Sequence, residues 1–384
     1  MPSIVKSSAL KYLAIAIVTI GLLYLAFRGQ NLGASMKDIS RANLWPLLAG
    51  ILIMFLSHVA RALRWQIVLR PLKRRTSSWL AFKSTVAGYA MNNLIPRSGE
   101  IVRPYMMSRG ERIPMAGTLA SIVVERLTDV LALAALIVFS LLSFEQRVTN
   151  VFPMFSGHAI TVLALMLAVL TGFILVFFSE RRTEQMVGLF ARPLPPKIGE
   201  KIRQLGRDFS KGLRGLERGA ILPLLVGTVA IWGLYGLSMY VSLKGFNTPA
   251  MNALTLRDAF LLLTLSGIAF TIPTPGALGS YDALITTGLA VIFGVPPGIA
   301  LAYAVATHIL SYVSITLVGL GFLVREGISF SSAKSMTATS PVSQQGEGIV
   351  GDADWGDDAE PTMFASPPNP LSLLGEGALN QNDG

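Results

Sequence analysis

The sequence predicts an all-α, polytopic membrane helical bundle, and three observations predict it. Apolar runs long enough to cross a hydrocarbon core recur along the chain, its cations gather in the short stretches between those runs, and it is poor in charge overall. Of its 384 residues, 52% are hydrophobic and 14% charged, against about a quarter charged in ordinary soluble domains. Mean hydropathy is +0.56. A span needs roughly 20 mostly apolar residues as helix, and helix suits lipid because every backbone polar group finds its partner inside the segment. The runs are continuous and lack the alternation of a membrane barrel. Cysteine is absent, which excludes disulfide staples, thiolate metal sites and cysteine nucleophiles.

Lys6 and Lys11 precede an apolar run from Tyr12 to Phe27 with no small-residue cleavage signature after it, which reads as an uncleaved first helix. A second run, Leu44 to Leu69, ends in Arg70 and the cluster Lys73, Arg74, Arg75, and that cluster marks the cytoplasmic side. Residues 79–95 form a shorter segment stopped by Pro96 and make a poor full span. Residues 114–142 make a long helix with Glu125, Arg126 and Asp129 inside it, followed by a nearly neutral loop that should face outward. A further span is expected from Ala159 to Phe178. Residues 179–219 then carry ten Lys/Arg against five acids, and the helical spacing of Ile198, Ile202, Leu205, Phe209, Leu213 and Leu216 predicts an amphipathic helix on the inner leaflet. Another span follows from Ile221 to Leu243. A run from Ala259 to Ile272 is broken at Pro273, Pro275, Gly276 and Gly279 and resumes to Phe293. The last span covers Ile299 to Val324.

If both interrupted regions dip in and return to the same side, every strong basic loop falls inside. Each half then reads span, span, re-entrant segment, span, with opposite starting sides. That order is compatible with an inverted-topology repeat, and Ile95-Pro96-x-x-Gly99 echoes Ile272-Pro273-x-x-Gly276 at corresponding places. The chain divides into a membrane body, residues 1–327, and a tail, residues 328–384, expected to be disordered, acidic and cytoplasmic. The body holds 31 Lys/Arg against 14 acids and the tail one Lys against eight. Cations confined to short loops are what membrane topology requires, so nucleic acid is not a partner.

Ionisable groups at membrane depth carry the most information, because each costs about 2.5–3.5 kcal/mol to insert on the translocon scale. Glu125 and Asp129, four apart, share a helix face with Arg126 beside them. They form either an internal ion pair that locks two helices or a gated pair on a translocation path. In Asn92-Asn93-Leu94-Ile95-Pro96-Arg97-Ser98-Gly99-Glu100-Ile101-Val102-Arg103, Arg97 and Arg103 can offer planar forks to a phosphate, with Glu100 holding them when the site is empty. The alternative is a loop whose arginines only anchor topology. The break at Thr271–Asp282 exposes backbone donors and supplies Asp282, or is a simple tight loop. Arg61 and Arg64 are explained by snorkelling to headgroups. His308 reads as a packing histidine, since a proton role would require a partner. No catalytic set emerges, no cofactor is implied, and His58, His158 and His308 are too far apart in sequence to suggest a metal site.

Asn-x-x-x-Pro-Arg-x-Gly-Glu-x-x-Arg-Pro ending at Pro104, then Glu125-Arg126-x-x-Asp129, then Pro-x-Pro-Gly-x-x-Gly-x-x-Asp over 273–282 together resemble the lysylphosphatidylglycerol synthase transmembrane region, the flippase-like domain family, over roughly residues 10–325. The resemblance implies a lipid-translocating body in the cell (inner) membrane, with membrane lipids as partners. In bifunctional members a cytosolic synthase domain follows, and this chain reads as a stand-alone member without it. The resemblance further implies that Asn93, Arg97, Glu100, Arg103, Glu125, Arg126, Asp129 and Asp282 line the path. Asp282 stands where the family commonly has Glu, one methylene longer. The function expected is a flippase-like transporter of a phospholipid or polyprenyl-linked headgroup. The alternatives are a membrane-embedded enzyme or accessory subunit in lipid or lipid-linked sugar metabolism, and an interaction protein recruited through its tail. The oligomeric state is left open, a homo-oligomer included.

Overall fold

A computed structural model describes residues 2–29, 31–146, 180–192 and 218–327, with a few isolated positions between 161 and 203. The expected span at 159–178, the amphipathic helix at 198–216 and the acidic tail at 328–384 lie outside the described residues, single positions aside. Those described residues are helical and contain no strand. We number the helices α1 (Pro2–Phe27), α2 (Leu32–Arg41), α3 (Leu44–Leu69), α4 (Ser78–Leu94), α5 (Gly99–Glu111), α6 (Met115–Ser143), α7 (Glu180–Ala191), α8 (Ile221–Leu243), α9 (Pro249–Asn252), α10 (Leu256–Ala269), α11 (Ser280–Thr287) and α12 (Pro297–Arg325).

Local chemistry sets where these helices begin. Asn43 and Ser77 accept from backbone N–H groups of the first turns of α3 and α4, at 3.1 and 3.2 Å. Thr255 and Asp258 close a capping box at α10, so orphan donors are satisfied at each start. By length and composition, α3, α8 and α12 can each cross a membrane. Their solvent is hydrocarbon on one face. Leu52, Leu56, Val59 and Leu63 of α3 are exposed at the three-and-four spacing of one helical stripe, and Leu222, Leu225, Val226 and Val229 do the same on α8.

The bundle is built from three antiparallel contacts. α3 runs against α8, where Ser238 Oγ donates to the Gly50 carbonyl at 2.8 Å near one end and Arg64 meets Thr228 near the other. α4 runs against α12, from the Lys83–Glu326 ion pair to Asn93 beside Thr316. α6 runs against α10, through Ser140 and Thr264 at 2.8 Å and the Arg257 bond to the Ser143 carbonyl.

Between these contacts the chain makes two helical hairpins. After Pro96, α5 folds back along α4 so closely that a Cβ on Gly99 would stand 1.9 Å from the Gly88 carbonyl oxygen. The hairpin base is tied where Glu111, the last residue of α5, accepts from the Ser77 N–H at 2.6 Å and Lys73 Nζ at 2.7 Å. Burial pushes the Glu111 carboxyl up, but these two donors and the Lys73 charge outweigh it and hold it below the ordinary carboxylate range. The second hairpin joins α10 to α11 and the π-helical stretch Gly288–Ile292, through a 3-10 turn at Pro275–Ala277. There Gly276 has φ +54, and a Cβ on it would stand 2.5 Å from the Tyr312 ring.

Gly99→Ala should therefore force α4 and α5 apart, an overpacking cost of about 1–3 kcal/mol or more. The melting temperature in detergent should fall clearly. Gly188→Ala, where the added methyl meets nothing within 4 Å, should leave it unchanged. Equal melting temperatures for both variants would show that the close hairpin contact is not needed.

Candidate functional site

Asp129 is the middle residue of the 29-residue α6, so roughly 21 Å of helix extends to each side of it. A carboxylate buried in an apolar helix needs a protein partner. α3 provides it. Arg61 and Arg64, three apart, project from one face of α3 towards Glu125 and Asp129, four apart on one face of α6. Arg61 Nη1 donates to Glu125 Oε1 at 2.9 Å and to Asp129 Oδ2 at 2.6 Å. Arg64 Nη2 donates to Asp129 Oδ1 at 2.8 Å, stands 3.4 Å from Glu125 Oε1, and its Nη1 donates to Thr228 of α8 at 2.9 Å. Four helix-borne charges thus close one network, with Arg61 3%, Arg64 1% and Glu125 1% exposed.

A third guanidinium enters from α5. Arg103 comes close because Gly88 of α4 presents no side chain to it, an added Cβ standing 3.1 Å from Arg103 Cβ. Its Nη2 lies 2.8 Å from Glu125 Oε2, but off the hydrogen-bond axis, so both atoms remain without a hydrogen bond. The guanidinium lies 3.9 Å from the Trp65 ring centroid, a cation–π contact, and Trp65 Nε1 donates to Ser121 at 2.8 Å. Three guanidiniums therefore meet two carboxylates among the described residues. The Nε atoms of Arg61, Arg64 and Arg103 are buried without hydrogen-bond partners, as are both ring nitrogens of His58, whose ring lies 4.7 Å from that of Tyr89.

The network grades outward. Arg126, 41% exposed, has Nε 3.7 Å from Glu100 Oε1 and Nη1 3.8 Å from Asp129 Oδ2, and Glu100 is 44% exposed. Of the residues the sequence singled out, Arg103, Glu125, Arg126, Asp129 and Glu100 thus fall in one centre. Asn93 and Asp282 fall at a second place, where the two hairpins meet α12. Asn93 Nδ2 donates to Thr316 at 2.9 Å and the Asn93 carbonyl accepts from Tyr312 at 2.8 Å, while Asp282 faces His308 at 3.1 Å. Arg97 is exposed at the tip of the first hairpin, in the left-handed region at φ 64.

Three expectations are corrected by this geometry. Arg61 and Arg64 are not free to snorkel, because both are buried and ion-paired to two carboxylates on α6. Glu100 does not hold Arg97 and Arg103 together, because the turn at Pro96 sends Arg97 outward while α5 turns Arg103 inward. His308 has the partner it was read as lacking. Glu125 and Asp129 are ion-paired across two helices, to Arg61 and Arg64 of α3. No group of three or more His, Asp or Glu side chains is placed to hold a metal among the described residues.

This architecture is that of a multi-pass helical membrane protein with a buried ionic centre. The chain belongs to the lysylphosphatidylglycerol synthase TM region family, whose description matches residues 12–319. It is similar to a UPF0104 membrane protein of Methanothermobacter thermautotrophicus, 24% identical over 344 residues and covering 84% of this chain and 98% of that one. A UPF0104 membrane protein of Pyrococcus horikoshii is 24% identical over 335 residues, 82% of this chain and 96% of that one. The protein named glycosyltransferase AglD of Haloferax volcanii is 23% identical over 313 residues, 76% of this chain but 50% of its own length. No solved structure matches.

The Arg103–Glu125 contact is testable in isolation. Arg103→Met and Glu125→Gln should each lower thermal stability in detergent, and the double variant should fall short of their sum by about 0.5–3 kcal/mol. Strict additivity would mean that the contact contributes nothing.

Proposed function

We propose that this protein is a transporter that moves an amphipathic lipid with an anionic headgroup between leaflets, the tails staying in hydrocarbon while the headgroup passes the ionic centre. The observation that carries this reading is the imbalance at α3, α5 and α6. Three buried guanidiniums face two carboxylates, and unpartnered Nε donors surround them. A centre that served only to lock helices would be more stable if neutral, because each uncompensated charge in a medium of low dielectric costs several kcal/mol. A phosphate supplies the missing negative charge and accepts from planar guanidinium forks. Arg126 and Glu100, half exposed, would form the entrance, and Arg97 at the hairpin tip a first contact. The ion pairs of Glu125 and Asp129 hold the arginines in place while no headgroup is bound.

The packing also supports an inverted repeat. The hairpin of each half lies on the last helix of the other half, α4 on α12 and α10 on α6, and both hairpins would be re-entrant. Such an arrangement lets one repeat rock against the other around a fixed site. Residence in the cell (inner) membrane belongs to the same proposal.

A second reading draws on the relative named a glycosyltransferase, and makes the chain an enzyme or accessory subunit acting on lipid-linked sugars, with the same carboxylates in acid/base roles. Half of that protein lies outside the match, so its name carries less weight than the geometry. Purified protein in liposomes separates the two. Leaflet exchange of a labelled anionic lipid, with lipid composition unchanged, is the expected result, and Glu125→Gln or Arg126→Ala should abolish exchange while the protein still inserts. Appearance of a new lipid species would favour catalysis, and normal exchange in both variants would remove the centre from the mechanism.

A further inference from the structure

We infer that Asp282 and His308 form a proton-binding site that fastens the second hairpin to α12, separate from the ionic centre. The inference stands on hydrogen-bond inventory. His308 is buried in α12, and both edges of its ring face acceptors. Nδ1 lies 3.1 Å from each carboxylate oxygen of Asp282, and Nε2 lies 2.9 Å from the carbonyl oxygen of Gly276. A carbonyl oxygen only accepts, so Nε2 must carry a hydrogen. A neutral imidazole has one N–H and one lone pair, so in that form Nδ1 would turn its lone pair on an ionised carboxylate. The contacts are all satisfied only when the pair holds one more proton than a neutral histidine beside a carboxylate.

Asp282 is itself fixed for this task. Its Oδ2 accepts from the Gly279 N–H at 3.1 Å, which pins the carboxylate to the turn it closes. The other titratable groups facing the pair are the phenols of Tyr281, whose ring centroid is 4.7 Å from that of His308, and Tyr312, at 6.3 Å. Tyr281 is engaged with Thr307 and Tyr312 with the Asn93 carbonyl. α4 contributes the neutral amide of Asn93 next to Gly276, and α1 contributes Leu22 and Leu23 against Gly279. Among the described residues no Lys, Arg or further acid forms an ion pair with either member, so the pair compensates itself when protonated.

Proton occupancy is thereby tied to backbone position. With the proton in place, His308 bridges Asp282 and the Gly276 carbonyl and clamps the Pro275–Gly279 turn. When the proton leaves to water, the ring keeps one N–H, and one of its two bonds to the turn is lost. The turn touches Asn93 at the end of α4, so its release loosens the junction of both hairpins. Use of this step to couple protons to lipid movement rests on the transport reading above, whereas the proton site itself does not.

Histidine ring nitrogens can be observed directly by nitrogen NMR on the full chain, histidine-labelled, in nanodiscs at neutral pH. The His308 signals are assigned by their loss in His308→Gln or, if that variant does not fold, by through-space transfer from the Tyr281 ring. The result expected is two protonated ring nitrogens, or a neutral ring together with an infrared band of a protonated Asp282 carboxyl. Asp282→Asn should return the ring to a neutral tautomer. A neutral ring beside an ionised Asp282 in the wild-type chain would overturn the site. In liposomes, exchange should change at least about tenfold between acidic and alkaline buffer and stay within about twofold in Asp282→Asn. Exchange in the wild-type chain that ignores pH overturns the coupling. Absence of any exchange, with the NMR signature present, overturns the transport reading and leaves the proton site standing.

Discussion

An ionised side chain in hydrocarbon must be paired, and the structure follows from how that requirement is met at α3 and α6. Glu125 and Asp129 sit buried towards the middle of α6, and Arg61 and Arg64 of α3 pair with them. That fixes the rotation of both helices and the depth at which they cross. Arg64 extends the tie to Thr228 of α8, and Arg103 extends it to the first hairpin. The contact of α5 with α4 at Gly88 and Gly99 is what lets Arg103 arrive. Breaking one member of such a buried network costs about 3–5 kcal/mol, comparable to the whole stability of many domains.

The same network explains how much of the site was legible in the sequence. Glu125, Arg126 and Asp129 stand out because charge inside an apolar run is costly, and the run itself announces the helix. Their partners do not stand out. Arg61 and Arg64 lie 61 to 68 residues from the acids they pair with, and near a helix end an arginine has a cheaper explanation in the headgroups. Helical periodicity reports which residues share a face, but not which face meets which. The pairing of His308 was missed for the same reason: its partner is 26 residues away on another helix, α11. The fold class and the long helices α3, α6, α8 and α12 were readable, since hydrocarbon leaves so few structures available, whereas α2, α5 and α7 were not read from the sequence.

Two polar centres of different character thus share one bundle. The first is rich in guanidinium, net positive among the described residues, and graded from buried Arg61 to half-exposed Arg126. The second is small, fully hydrogen-bonded when it holds its proton, and placed where both hairpins meet α12. The first suits a ligand that brings negative charge, and the second suits a ligand no larger than a proton. Their separation along α4, one centre near Gly88 and the other at Asn93, makes the first hairpin the element that feels both.

Lipid-dependent thermal stability tests most directly the proposal that an anionic headgroup balances the excess positive charge of the ionic centre. Delipidated protein should melt at a higher temperature with phosphatidylglycerol than with phosphatidylcholine at equal concentration, a ligand at about 100 times its Kd adding roughly 2.7 kcal/mol. In Arg103→Met the difference between the two lipids should disappear. Equal shifts for both lipids in the wild-type chain, or a preference that survives Arg103→Met, would contradict the account.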